Sequence, residues 1–111
     1  MKKLGLIMIS FSFFISHIIL AETHFDAARE HTDAAIDSGE SGQTRALIKH
    51  TKEALEHALE ASLAAKGPSK THLEAAAKEL QESLDHANLG HIGAATIHAE
   101  AAERHFKASK K

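Results

Sequence analysis

The chain has 111 residues, enough for one small domain. Its formal net charge of −2 with neutral histidines disfavours a nucleic-acid partner, because phosphate binding requires a basic face. The lack of cysteine excludes disulfides and thiolate metal sites, which leaves imidazole and carboxylate groups as the main candidates for metal ligands.

The first 21 residues have the features of a secretory signal peptide. Lys2 and Lys3 form a basic start, residues 4–20 are mostly apolar, and Ala21 is a small residue before the expected cleavage point. Removing 21 residues from 111 leaves a histidine-rich domain over 22–111, with a net charge of about −4 because two lysines go and all 15 acidic residues stay. An uncleaved membrane anchor is the alternative, since the apolar stretch is close to the shortest that spans a bilayer.

The rest of the chain is predicted to be helical. It is rich in Ala, Glu, Lys and Leu, and its glycines and one proline cluster at three points. Thr71 followed by Glu74 fits a capping box that would open the third helix. The predicted helices cover 23–38, 43–66, 71–88 and 92–109.

An internal repeat relates the two halves of this domain, with an offset of 48 residues. Each half is therefore predicted to be one helical hairpin. Two such hairpins predict an all-α fold, an antiparallel four-helix bundle. The repeated residues include Thr23/Thr71, His24/His72, Gly42/Gly90, His50/His98 and His57/His105.

Histidines recur at intervals of seven residues along the helices. Seven residues are about two helical turns, so these side chains share one face of a helix. Imidazole is the commonest protein ligand of transition metals, and the pattern therefore predicts metal binding. The histidines after residue 21 are His24, His31, His50, His57, His72, His86, His91, His98 and His105.

Apolar or small residues mostly follow the histidine positions one and four residues later. Those positions are predicted to form the core, which places the histidines on its flank. The second helix is less regular, because its apolar side chains lie further round the helix. In the other helices the core positions are Phe25, Ala28, Thr32, Ala35, Leu73, Ala76, Leu80, Ser83, Ile92, Ala95, Ala99 and Ala102; the irregular residues are Ile48, Leu55, Leu59 and Leu63.

Flanking histidines of two antiparallel helices should face each other across the hairpin. Counting outward from the centre of each turn gives six opposed pairs, and successive pairs are about 10.5 Å apart by helix rise, so each is predicted to be a separate site. The pairs are His24/His57, His31/His50, Ser38/Gln43, His72/His105, Glu79/His98 and His86/His91.

Each pair supplies only two protein ligands, so carboxylates or water must complete the coordination. Glu53 is placed to assist His50 or His57, Glu60 is placed to help His57, and Glu79 is itself a member of a pair. Imidazole together with carboxylate suits Cu(II), Ni(II), Zn(II) or Co(II). Protons compete for imidazole, so affinity is expected to fall as the pH drops through about 6.5.

Signal cleavage would create a further site at the new N-terminus. Glu22, Thr23 and His24 would then offer an amine, two deprotonated backbone amides and an imidazole. Such a square-planar set of nitrogens suits Cu(II) and Ni(II).

The motifs do not indicate an enzyme. A di-iron carboxylate centre needs Glu-x-x-His motifs inside the bundle, whereas core positions such as Ala28 and Ala76 are alanine. No Ser/His/Asp set, glycine-rich phosphate loop or Cys-x-x-Cys-His haem motif is present. The remaining alternative is a structural or interaction protein in which facing histidines act as a pH switch.

Several segments resemble the small metal-binding proteins of bacterial periplasms, and together they cover nearly all of 23–109. The segments are THFDAAREH, QTRALIKHTKEALEHA, THLEAAAKEL and GHIGAATIHAEAAERH. The resemblance implies a monomeric periplasmic bundle whose nine histidines bind several divalent metals, copper foremost, as a scavenger, buffer or store, with no membrane partner after signal cleavage. This chain carries Ser38, Gln43 and Glu79 at three of the opposed-pair positions, where the family is richer in histidine.

Overall fold

Four α-helices make up the computed structural model, which describes residues 2–110 and the side chains of 20–110. α1 packs against α2 and α4, and α3 packs against the same two helices, so consecutive helices are neighbours around a bundle. The predicted all-α four-helix bundle is confirmed. The helices are α1 (Lys2–Glu40), α2 (Thr44–Ala64), α3 (Gly67–Asn88) and α4 (Ile92–Ser109).

The N-terminal helix is longer than the sequence predicted. The first helix was expected over 23–38, whereas α1 continues through Ala21 without a break. The predicted signal peptide, residues 1–21, lies outside the described side chains except for Leu20 and Ala21, and its cleavage stays a prediction. Within 20–110, no helix has a stretch long and apolar enough to cross a membrane.

The third helix begins four residues before the predicted start. α3 opens at Gly67, after the extended residue Lys66, and Pro68 lies in its first turn. Proline suits that turn because its fixed φ is helical and its missing N–H would have had no partner there. The predicted capping box is therefore wrong: Thr71 lies inside the helix, where its hydroxyl donates to the carbonyl of Gly67 at 3.4 Å.

Equivalent turns close the two hairpins and confirm the repeat at the level of structure. Gly42 and Gly90 adopt left-handed backbone angles, with φ of 69° and 79°. The next residue in each turn donates its N–H to a carbonyl five residues back, at 2.8 Å in the first hairpin and 2.9 Å in the second. This is the Schellman arrangement, which favours glycine because other residues are strained at such angles.

Small residues dominate the core. Every core position predicted for α1 and α3 is buried, and α4 differs only in the half-buried Ile92. The apolar side chains of α2 lie further round the helix, as predicted, and the residues one and four places after its histidines are small and buried. Leu59 and Leu63 are exposed, Leu63 at 76%, whereas Leu47 is fully buried. The buried residues that follow the histidines of α2 are Thr51, Ala54, Ala58 and Ala61.

Side chains this small let the helices of a hairpin approach closely, because the distance between packed helices depends on the side chains at their contact. Larger residues fill one end of the bundle, where Phe25 and Phe106 meet edge to face with ring centroids 5.9 Å apart. At the other end, α1 and α4 meet where Gly39 lies against Thr96. The narrow core brings the flanking side chains of facing helices within reach of each other.

Candidate metal sites

The histidines after residue 21 lie on the flanks of the core, as predicted. Eight of them are half-buried and His91, in the second turn, is exposed. The helical repeat explains this position, because the residues one and four places later point into the core and turn the histidine to its edge. Half-burial keeps the ring oriented by its neighbours while leaving one side open to solvent and ions.

Two pairs of histidines meet across the first hairpin. The Nδ1 atoms of His24 and His57 are 2.9 Å apart, and those of His31 and His50 are 3.2 Å apart. Each contact is a hydrogen bond in which one ring donates and the other accepts. Two nitrogens bound to one ion at about 2.0–2.1 Å lie about 2.9 Å apart at a right angle and about 3.4 Å apart at a tetrahedral angle. The pairs therefore already have the spacing of two ligands on a single ion.

Glu53 adds a third ligand group to the second of these pairs. Its Oε2 atom is 2.9 Å from Nδ1 of His31 and 3.9 Å from Nδ1 of His50. The sequence placed Glu53 beside His50 or His57, and the structure joins it to His31 and His50 in one group of potential ligands. Since an ionised carboxylate only accepts, the proton between these groups lies on His31. A cation in place of that proton would contact two nitrogens and one oxygen.

Neighbouring pairs in the first hairpin are also in contact. The rings of His31 and His57 are stacked at an angle of 4°, with centroids 5.9 Å apart. The helix rise of about 10.5 Å between successive pairs predicted separate sites. The contact between His31 and His57 instead connects the two pairs, because their rings lean towards each other. The result is a continuous row of four imidazoles along one face of α1 and α2.

The second hairpin has a histidine pair equivalent to His24/His57, but its next pair contains a glutamate in place of one histidine. The Nδ1 atoms of His72 and His105 are 3.4 Å apart. Glu79 takes the place that His31 has in the first hairpin, and its Oε2 atom lies 2.7 Å from Nδ1 of His98. The carboxylate and the imidazole are both about 30% exposed, at 28% and 31%.

His86 is closer to His98 than to its predicted partner. Its ring stacks on His98 with centroids 5.2 Å apart and an angle of 11°, whereas the ring of His91 is tilted and 5.8 Å away. His86 and His98 form a second group of potential ligands together with Glu82. Glu82 was not predicted from the sequence as a ligand; its position four residues before His86, one turn away on the same helix face, was the available signal.

Other acidic groups lie apart from these clusters. Glu60, expected near His57, is exposed and belongs to neither ligand group among the described residues. Burial raises the pKa of Asp33 above its ordinary value of 3.8, and the nearby carboxylate of Glu103 adds to this effect. Asp33 is on the opposite side of α1 from the histidines and faces α4. The raised pKa of Asp33 is therefore a property of the contact between α1 and α4 and not of the histidine clusters.

The family assignment agrees with this arrangement of ligands. The family model described as small metal-binding protein (SMBP) matches residues 1–109. The chain belongs to the small metal-binding protein family. No curated protein sequence matches it significantly. Metal ions are therefore partners of this SMBP chain, and its His/Glu groups are suited to hold them; which of the named side chains bind stays a prediction.

Proposed function

We propose that the protein is an exported periplasmic metal buffer, monomeric and without enzymatic activity, that takes up Cu(II) in preference to Ni(II), Zn(II) and Co(II). The observation that carries the proposal is the set of three histidine pairs with Nδ1 atoms 2.9–3.4 Å apart. Sites of nitrogen and oxygen ligands generally bind Cu(II) most tightly among these ions, which supports the preference for copper. The ligands predicted from the sequence are the nine histidines, Glu53 and Glu79.

Uptake of an ion by a histidine pair requires little chemical change. In the metal-free pair, one Nδ1 donates and the other accepts. Moving the donor's proton to its own Nε2 gives both Nδ1 atoms a free lone pair without loss of a proton from either ring. The protein then contributes two or three ligands, and water fills the remaining positions. Such open coordination supports exchange, whereas a structural zinc site is closed by four protein ligands.

A Cu(II) titration followed by native mass spectrometry tests the proposal. We expect several equivalents to bind at about pH 7.5 and to be lost at about pH 5.5, one unit on either side of the ordinary histidine value. Parallel titrations with Ni(II) and Zn(II), each in competition with Cu(II), test the order of preference. Binding of no more than one equivalent would contradict the buffer function.

A double variant tests the contribution of a single pair. We expect His31→Ala with His50→Ala to remove one equivalent of Cu(II), because both nitrogens of one site are lost. Ser38→Ala with Gln43→Ala is the matched control, since these residues face each other in the same hairpin without imidazole. An unchanged number of bound ions in the histidine variant would contradict binding by pairs.

Cleavage after Ala21 would allow the N-terminal site to form as well. In the full chain, residues 22–24 lie within α1, so their backbone amides become available only if the new first turn of the helix unwinds. Extending the cleaved chain by one N-terminal residue should then change the Cu(II) spectrum. Identical spectra would show that Glu22, Thr23 and His24 do not form this site.

The same histidine contacts support a second candidate, a pH-sensitive structural protein. Each contact shares one proton, and protonating both rings places two positive charges against each other. Unfolding on acidification in the presence of a chelator, together with absent Cu(II) uptake, would favour this function over metal buffering.

A further inference from the structure

One buried nitrogen in the second hairpin lacks a hydrogen-bond partner in the described part of the chain, and the predicted pairs of facing residues do not explain this. Nδ1 of His86 is buried and has no hydrogen-bond partner among the residues whose side chains are described. Burying a polar atom without a hydrogen-bond partner is unfavourable, so a ligand bound to this atom would stabilise the protein. Glu82 and His98 lie with His86 in one potential ligand group, whose ligand atoms are all within 4.8 Å of one another.

The contact between Glu79 and His98 determines which nitrogen of His98 is available. An ionised carboxylate has no proton to give, so the 2.7 Å contact requires the proton to be on Nδ1 of His98. A neutral imidazole with hydrogen on Nδ1 has its lone pair on Nε2. Histidines that bind metal commonly donate their other ring N–H to a carboxylate in this way, which fixes the tautomer and makes the free nitrogen more basic.

We propose that Glu82, His86 and His98 form a divalent-metal site, and that Glu79 is a positioning residue of this site and not a ligand. The ion binds Nε2 of His98, Nδ1 of His86 and the carboxylate of Glu82, with water in the remaining positions. The inference rests on the proposed function and specifies one of its sites. It replaces two of the predicted pairs, Glu79/His98 and His86/His91, by one site that runs diagonally between them.

The carboxylate has a different place in each hairpin. In the first, Glu53 comes from α2 and contacts His31 directly. In the second, the position equivalent to Glu53 is Ala101, and α3 supplies Glu82 instead. Glu82 is one turn before His86 on the same helix, so both side chains reach the same region. The exchange keeps a set of two imidazoles and one carboxylate while leaving Glu79 free to orient His98.

Nitrogen NMR with Zn(II) as the probe tests this assignment. The protein is purified from cells that express the full-length chain and is labelled with ¹⁵N. Before metal is added, we expect His98 to carry its proton on Nδ1. On addition of Zn(II), Nε2 of His98 and Nδ1 of His86 should shift while Nδ1 of His98 keeps its proton. A proton on Nε2 of metal-free His98, or Zn(II) on its Nδ1, would overturn the proposal.

Two variants separate the ligand from the positioning residue. Glu82→Gln should weaken Zn(II) binding at His86 and His98 by about 10-fold or more without changing the tautomer of His98. Glu79→Gln should weaken it by about 10- to 100-fold, the usual cost of losing such a carboxylate, and should also change the tautomer. Glu74→Gln is the control, because Glu74 is exposed on α3 and contacts only Lys70 among the interactions found for it. Unchanged affinity in Glu82→Gln would overturn the proposal.

The histidines of the first hairpin serve as the internal reference. Shifts at His31 and His50 without shifts at His86 and His98 would overturn this inference and leave the proposed function in place. If no histidine shifted on addition of Zn(II), and Cu(II) titration also showed no uptake, the proposed function itself would fail.

Discussion

Individual histidines at equivalent places of the repeat have different partners. His50 and His98 are 48 residues apart in sequence and both lie on the flank of the core, but His50 meets an imidazole and His98 meets the carboxylate of Glu79. His50 accepts the proton that lies on His31 and keeps the lone pair on its own Nδ1, whereas His98 carries the proton on its Nδ1 and donates it to Glu79. The seven-residue spacing of the histidines therefore predicts where each ring lies, and the partner of the ring determines which nitrogen has a lone pair for a metal ion.

Removing the carboxylate at the first hairpin should weaken its site selectively. We expect Glu53→Gln to lower the Cu(II) affinity of the site at His31 and His50 by about 10-fold, because a charged oxygen ligand is lost. Competition titration against a chelator of known affinity measures this change. Glu56→Gln, which alters an exposed acid on the same helix, should leave the affinity unchanged; an equal loss in both variants would indicate a general effect of charge.

Two buried threonines allow the cost of an unpaired hydroxyl to be measured. Both Thr51 and Thr32 are fully buried, but the hydroxyl of Thr32 donates to the carbonyl of Ala28 at 2.7 Å, whereas that of Thr51 has no partner among the described side chains. Replacing an unpaired buried hydroxyl by a methyl group removes a desolvation cost of about 1 kcal/mol.

We therefore expect Thr51→Val to raise the free energy of unfolding by about 1 kcal/mol and Thr32→Val to leave it unchanged or lower it. Chemical denaturation of the metal-free protein measures both. A loss of stability in Thr51→Val as large as that in Thr32→Val would mean that the Thr51 hydroxyl is satisfied in solution.

Among the helices, α2 shows what an apolar pattern can and cannot predict. Most of its large apolar residues lie further round than the core positions, and its buried face consists of Leu47, Thr51, Ser62 and alanines. The rule that core residues follow the histidines also holds in α2, where the large Leu59 and Leu63 are exposed and the small Ala58 and Ala61 are buried. The start of α3 was mispredicted, since the proline at its first turn supplied a stronger signal than the later Thr71.

A close contact between α1 and α4 depends on a glycine. A Cβ atom at Gly39 would clash with the side chain of Thr96, whose hydroxyl donates to the carbonyl of Ile92 at 2.8 Å. We expect Gly39→Ala to lower the free energy of unfolding by about 1–3 kcal/mol, as for other overpacked contacts. Thermal and chemical unfolding of the metal-free protein measure this change.

Gly93→Ala is the matched variant for this prediction. Gly93 lies near the start of α4 with open space around its Cβ position, so alanine there should stabilise the helix by up to about 1 kcal/mol. If both alanine variants changed stability in the same direction and by the same amount, the close contact at Gly39 would not be important for the fold.

For the molecule as a whole, metal binding and folding should be coupled. Apart from the N-terminal site, every proposed site takes ligands from both helices of a hairpin, so the folded state binds ions that the separated helices hold less well. At a free concentration 100 times the dissociation constant, one site adds about 2.7 kcal/mol of stability. We expect Zn(II) to raise the midpoint of thermal unfolding, and His31→Ala with His50→Ala to reduce that rise; an unchanged midpoint at saturation would contradict this coupling.

The fold and most of the contacts between histidines could be predicted because one repeated spacing determines both. A seven-residue interval places the histidines on one face, and the repeat places the helices in hairpins, so the pairs of the first hairpin followed from counting. The diagonal contacts of His31 with His57 and of His86 with His98 could not be predicted in this way. They depend on side-chain rotation at the flank, which the spacing along a helix does not determine.

The alanine core also has a consequence for how this protein can diverge. Because the distance between the helices depends on residues such as Ala54 and Ala58, a substitution there by a larger side chain would move facing rings apart while every histidine remained. Natural variants with identical ligands can therefore differ in affinity. Selection on metal affinity would then act on positions that never touch the ion, and a comparison of histidine positions alone would overlook them.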